Sequence, residues 1–258
     1  VMGLSQPYIT DIFVEIGAVR RIRDAISYAM VSPYPSYIVS DPGHGKTTAL
    51  FHLAKEFNGS YGQIGEAHKN ISGMYLALLS ASGVLAGSQY ERELFNQVIY
   101  SISPHRFAVP TERKLIIIDE FQTLEDRTKR ELLKVQETCG FALVLGGNSE
   151  RIISSGKKDV KALQQIEDRI GMRVALPALD GRDCVEIGAA YGVEGMDAYK
   201  AISAFGTQTN VRALVRLLQY AKRLAGGTAA IHIHHLKSAV PALYGKADAL
   251  KLLMQDDA

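Results

Sequence analysis

Ser40-Asp41-Pro42-Gly43-His44-Gly45-Lys46-Thr47-Thr48 decides how this chain folds, and Leu115-Ile116-Ile117-Ile118-Asp119-Glu120 completes the reading. The first stretch follows a short apolar run, Ser36 to Val39, and leads into a helical pattern. A loop of this kind wraps backbone N–H groups around phosphates. Glycines permit the close approach, and the following helix N-terminus adds positive potential. Gly43 and Gly45 suit that role. Lys46 would reach the β- and γ-phosphates, and the Thr47 hydroxyl would bind Mg²⁺. Asp41, Pro42, His44 and Thr48 complete the stretch expected to hold the nucleotide. Ser40 stands where the usual Gly-x-x-x-x-Gly-Lys-Ser/Thr pattern begins with glycine, a mild departure. In the second stretch, Asp119 ends an aliphatic strand where it would hold Mg²⁺ through water. Glu120 would polarise the water that attacks the γ-phosphate. Capping of the next helix is the alternative for Glu120, and the glycine loop upstream weighs against it. Together the two stretches point to a P-loop nucleotidase.

The rest of the composition sets bounds. The chain has 258 residues, enough for one sizeable core and a small second domain. It is 47% hydrophobic and 22% charged, as globular proteins are. No apolar run approaches the ~18 residues that span a bilayer, and the N-terminus lacks the zones of a signal peptide. Cys139 and Cys184 lie far apart without ligand-like spacing, which suits a reducing cytosol. A net charge of +2 neither demands nor excludes DNA, so any basic patch is local or summed over subunits.

Periodicity predicts helices over 11–29, 47–57, 73–85, 91–103 and 124–138, and strands over 36–39, 61–65, 115–118, 141–145 and 172–176. The aliphatic runs read as strands of a parallel sheet buried on both faces, and the alternation with helices as a three-layer α/β fold. After Asp180 the strand signals stop. Helices are expected over 183–191, 196–204, 210–225 and 233–240, with Pro241 interrupting or ending the last and 246–254 a short final one.

Phe141 to Leu145 ends in Gly146-Gly147-Asn148. If that strand neighbours both the loop strand and the Asp119 strand, Asn148 would position the lytic water; otherwise it is a turn asparagine. Ile231-His232-Ile233-His234-His235 has no evident fourth ligand and reads as a strand-to-helix junction rather than a metal site. Arg127, Lys129 and Arg130 read as the wet face of a charged helix.

The order of these motifs resembles the AAA+ ATPases. It continues through Ile166-Glu167-Asp168-Arg169-Ile170-Gly171 and Thr209-Asn210-Val211-Arg212. Within them the chain looks most like the DNA transposition regulators, phage Mu B, TnsC, TniB and, less closely, IstB. That likeness rests on the compact length, FALVLGGNSE, DRIGMRVALPAL and NVRALVRLLQYAKRLA. It implies an α/β, three-layer P-loop AAA+ core over 1–180 and a helical lid domain over 181–258. It implies ATP and Mg²⁺ as ligands, ATP hydrolysis, and assembly into a ring or helical filament. Arg169 looks like the arginine finger reaching a neighbour's γ-phosphate, with Arg173 as runner-up. Arg212 matches the arginine that contacts the γ-phosphate from the lid of its own subunit.

The resemblance further implies duplex DNA and a transposase as partners, no membrane, and a cytoplasmic protein of bacterial or phage origin. Lys69, with Asn70 and Ser72, matches the DNA-contacting region of TnsC-like proteins. Lys157, Lys158 and Lys161 read as a second basic loop, facing DNA or solvent. Such backbone contacts would be nonspecific and salt-sensitive. A helicase loader or replication initiator shares the same nucleotide motifs, as does a secretion or signalling ATPase that needs no DNA.

Overall fold

The computed structural model describes residues 12–103, 113–148, 160–227 and 229–245, with the backbone alone at 160–163. Its sheet has five parallel strands: β1 (Ser36–Val39), β2 (Ser60–Gln63), β3 (Leu115–Asp119), β4 (Ala142–Gly147) and β5 (Met172–Ala175). Their order is β2-β3-β4-β1-β5. β4 therefore lies between the loop strand and the carboxylate strand, pairing Val39 with Gly147 and Ile118 with Leu145. The helices of this part are α1 (Gly17–Val31), α2 (Lys46–Glu56), α3 (Ile71–Ala81), α4 (Glu91–Ile102), α5 (Asp126–Cys139) and α6 (Val160–Glu167). Four more follow: α7 (Gly181–Tyr191), α8 (Met196–Gln208), α9 (Val211–Leu224) and α10 (Ile233–Tyr244). This is the α/β parallel-sheet architecture that the sequence implies.

Alternation along the strands divides the core. Tyr37, Ile116, Ile118, Leu143 and Leu145 join Met74, Leu78, Leu94 and Leu132 in one buried cluster. Asp119 faces the other way, beside Leu50 of α2. Two compact units emerge. One is built on Arg21–Asp41 and Lys46–Leu176. The other is built on the chain from Pro177, joined by the loop tip Pro42–Gly45 and the stretch just before Arg21.

Several expectations need correction. α1 begins at Gly17, because its first amide is capped by the Asp183 carboxylate at 2.8 Å. The basic loop assigned to 157–161 gives way to α6 from Val160, which places Lys161 in a helix anchored by buried Ile166. Lys157 and Lys158 lie outside the described residues, as does the helix expected over 246–254. Pro241 lies inside α10. The helix tolerates the lost amide because Leu236, Ala239 and Val240 are buried along it and Tyr244 packs on Phe205. Lys129 is fully buried. It lies three and four residues before Leu132 and Leu133, on the inner face of α5, and its ammonium pairs with Asp126 at 3.0 Å. Arg127 and Arg130 are exposed, as expected.

Candidate nucleotide site

α2 starts at Lys46, directly after two glycines with left-handed backbones, φ +90° at Gly43 and +80° at Gly45. Only glycine adopts these values without strain. The first turn of α2 carries Lys46 and Thr47 toward the C-terminal end of β3. There Asp119 has no solvent exposure, so its charge must be paired. The Lys46 ammonium and the Glu120 amide, at 2.9 Å, donate to Oδ1. The Thr47 hydroxyl at 2.6 Å and the Tyr61 phenol at 3.3 Å donate to Oδ2. Burial, and then the charge of Asp119, pushes the Tyr61 phenol far above its ordinary range, which keeps it a donor. Thr48 follows on α2, half-buried.

Gly146 of β4 makes room for this carboxylate. A Cβ there would stand 2.7 Å from Leu50 and still closer to the Asp119 oxygen. Glu120 is half-buried and lies 4.0 Å from Lys46 through Oε1. Its backbone is left-handed, φ +59°, and its Oε2 accepts the Gln122 amide. A positive φ at a non-glycine residue costs energy that the surrounding structure must hold. Asn148 follows β4, and its buried Oδ1 has no hydrogen-bond partner among the described residues. Nearby, burial pushes the Tyr37 phenol up to about 12, against the charge of Arg173 and with those of Glu120 and Asp119.

The residues fit Mg²⁺ and a nucleotide. Thr47 and Asp119 present hard oxygen donors 2.6 Å apart, the chemistry Mg²⁺ takes. The loop supplies glycine-opened backbone, and Asn148 supplies an acceptor that has no partner among the described residues. Among the described residues no group of three or more His, Cys, Asp or Glu could hold a metal ion by itself. His232, the residue before α10, follows the Ile231 bridge to Val193, so the histidine run is a strand-to-helix junction.

The loop tip has its own partners. Asp41 and Pro42 are exposed and His44 is half-buried. The Gly43 carbonyl accepts the amide of Arg212 at 2.9 Å. The Asn210 side chain caps α9 by accepting the Ala213 amide at 2.9 Å, and it lies against Gly43. The Arg212 residue is exposed on the first turn of α9.

The remaining sequence candidates make other contacts. Arg169 pairs with Glu137 at 3.2 Å and Arg173 with Glu167 at 3.9 Å, each about half exposed. Lys69 is exposed and 3.6 Å from Glu66. Asn70 caps α3 by accepting the Gly73 amide at 2.8 Å, and Ser72 is half-buried beside it. Sequence reading missed Tyr61, Gln122 and Gly146. No linear signal marks Tyr61, because its role depends on β2 pairing with the carboxylate strand.

Residues 32–152 match a family model described as an AAA domain. No curated protein matches the sequence. Among solved structures the chain is similar to Cdc6p from Pyrobaculum aerophilum, with 13% identity and a TM-score of 0.66 over 94% of this chain and 72% of that one. It is also similar to the RuvB Holliday junction branch migration motor of Thermotoga maritima, with 17% identity and a TM-score of 0.57 over 92% and 72%. Among the described residues no helix is long and apolar enough to cross a membrane. The chain thus has the fold of the P-loop AAA+ ATPases, and the AAA-domain match spans the glycine loop, the Asp119 strand and Asn148.

Proposed function

We propose that the chain is an Mg²⁺-dependent ATPase whose ATP-bound form assembles on duplex DNA and regulates DNA transposition. In this reading it recruits or activates a transposase and steers target choice, and hydrolysis dismantles the assembly. The carrying observation is the buried Asp119 carboxylate, held by Lys46 and Thr47 at the head of a glycine-opened loop. Bound ATP and Mg²⁺ supply the scissile anhydride and the Lewis acid. Glu120 polarises the attacking water, and Asn148 orients it through its buried Oδ1. Lys46 stabilises charge on the phosphates. Arg212 acts from the lid, proposed to run from 181, and Arg169 from a neighbouring subunit. An arginine finger of this kind is worth ~10³-fold or more in rate.

The DNA half of the proposal rests on the sequence resemblance. The fold likeness to RuvB, a Holliday junction motor, is in keeping with it. Lys69, exposed at the head of α3, is the foremost backbone contact proposed, with Asn70, Ser72 and Lys161 as helpers. A filament repeats each weak contact, so a small net charge per subunit is sufficient.

The test compares wild type with Glu120→Gln, both mixed with ATP and duplex DNA at low and high salt. Turnover should fall at least about 100-fold in the variant, while ATP binding and salt-sensitive assembly on DNA persist. Wild-type turnover in Glu120→Gln overturns the catalytic assignment. Absence of DNA binding by wild type at low salt overturns the DNA reading. Co-purification with a replicative helicase instead of a transposase overturns the transposition role.

A further inference from the structure

We infer that Tyr61 is a positioning residue for the Asp119 carboxylate, and that its hydroxyl sets how tightly the nucleotide complex holds Mg²⁺. The inference rests on the nucleotide reading above and extends it to a residue outside the glycine loop and the carboxylate strand.

Tyr61 is the second residue of β2. That strand pairs with β3 so that Gln63 lies opposite Asp119 and Tyr61 opposite Ile117. Paired residues point to one face of a sheet, so Tyr61 and Asp119 share a face. The Tyr61 ring stands edge-on to Phe51 of α2, with centroids 5.4 Å apart and planes at 87°. This contact fixes the ring and aims the hydroxyl at Asp119 Oδ2, 3.3 Å away.

Asp119 has two donors on each oxygen. Two of the four, the Lys46 ammonium and the Thr47 hydroxyl, belong to groups that a Mg²⁺-nucleotide would claim. Lys46 would turn to phosphate and Thr47 to the metal. The other two, the Glu120 amide and the Tyr61 hydroxyl, come from the sheet and its end. They leave one fixed donor on each carboxylate oxygen after the loop groups turn away. Without the phenol, Oδ2 has no donor that the nucleotide leaves in place, and the carboxylate is free to rotate. Partners of this outer kind are typically worth 10–100-fold in metal affinity.

The experiment uses Tyr61→Phe in the full chain, which keeps the ring on Phe51 and removes only the hydroxyl. Mn²⁺ is titrated into the ADP complex and followed by electron paramagnetic resonance. Fluorescent ADP is titrated separately in EDTA, and the melting temperature is recorded. Mn²⁺ should be held about tenfold more weakly, with ADP affinity in EDTA and the melting temperature unchanged. Unchanged Mn²⁺ affinity overturns the inference while leaving the nucleotide reading intact. An equal loss of ADP affinity in EDTA also overturns it, because the loop rather than the metal shell is then disturbed. A wild-type chain that binds no nucleotide removes the reading beneath the inference, and the inference with it.

Discussion

The amide of Arg212 donates to the carbonyl of Gly43 at 2.9 Å. Backbone, not side chain, makes this bond between the first turn of α9 and the tip of the glycine loop. Asn210 reinforces it, since a Cβ on Gly43 would lie only 2.8 Å from its side chain. Gly43→Ala therefore meets two obstacles, a left-handed φ of +90° and the Asn210 amide. The loop must move, and with it the N–H groups proposed to face phosphate. Nucleotide affinity should fall at least about tenfold, and the strained alanine should also lower the melting temperature modestly. Arg212→Ala keeps the amide bond and removes only the guanidinium. It should retain nucleotide binding within a few fold and lose at least about tenfold in turnover. Fluorescent-nucleotide titration beside steady-state hydrolysis separates the two variants, and equal behaviour would rule out the backbone role.

Gly146→Ala tests the space around Asp119. A methyl group there collides with the carboxylate from one side and with Leu50 from the other. Asp119 cannot yield without losing the Lys46 and Thr47 contacts. We expect loss of Mg²⁺-dependent turnover and a stability cost of about 1–3 kcal/mol, as overpacking usually brings. Gly140→Ala is the control: its Cβ would meet nothing within 4 Å, although its φ of +70° carries its own strain. Full turnover in Gly146→Ala would show that the carboxylate is not confined as described.

Much of this site is legible in the sequence because the loop and the carboxylate strand are local patterns. Lys46, Thr47, Asp119 and Glu120 each follow from spacing and residue type alone. Asn148 depends on a neighbour relation, and the strand order supplies it by placing β4 between β1 and β3. What escapes a linear reading depends on tertiary partners. Tyr61 gains its role only once β2 is set against β3. Gly146 looks like a turn glycine until Leu50 and Asp119 arrive from other elements. Lys129 departs from expectation for a different reason. Its charge outweighed its position, though its spacing to Leu132 and Leu133 marks the buried face of α5.

Two half-buried histidines predict a pH dependence of stability. Burial pushes the His68 imidazole below its ordinary pKa, and its Nδ1 accepts the Gly65 amide at 3.3 Å. Burial and then the charge of Lys55 push His52 in the same direction. Between the lowered native value and the ordinary value near 6.5, the unfolded chain binds more protons than the native one. Stability therefore rises with pH across that window and falls as the solution is acidified below about 6.5. Melting temperatures between pH 8 and pH 5 should decline, and His68→Gln should flatten part of that decline. A decline that starts only near pH 4 would point to carboxylates instead.

Arg113 predicts the largest stability effect. Its guanidinium donates to the carbonyls of Ala29 at 3.0 Å, Ser32, Gly140 at 2.8 Å and Phe141 at 2.9 Å. Ala29 lies in the last turn of α1 and Ser32 just past it, and Gly140 is the C-terminal cap of α5. The last carbonyls of a helix lack partners within it and carry partial negative charge. One cation thus satisfies the ends of two helices and the entry to β4. Arg113→Ala leaves several carbonyls without a donor and should cost about 2–4 kcal/mol. For a chain of this size that lowers the melting temperature by roughly 5–15 °C. Arg113→Lys keeps the charge but not the planar fork, so it should recover less than half of the loss. Denaturant titration of the three proteins measures the differences. The helix-end account predicts that Arg113→Met, which keeps the aliphatic stem without charge or donors, is as unstable as the alanine variant. A methionine variant as stable as wild type would assign Arg113 a packing role only.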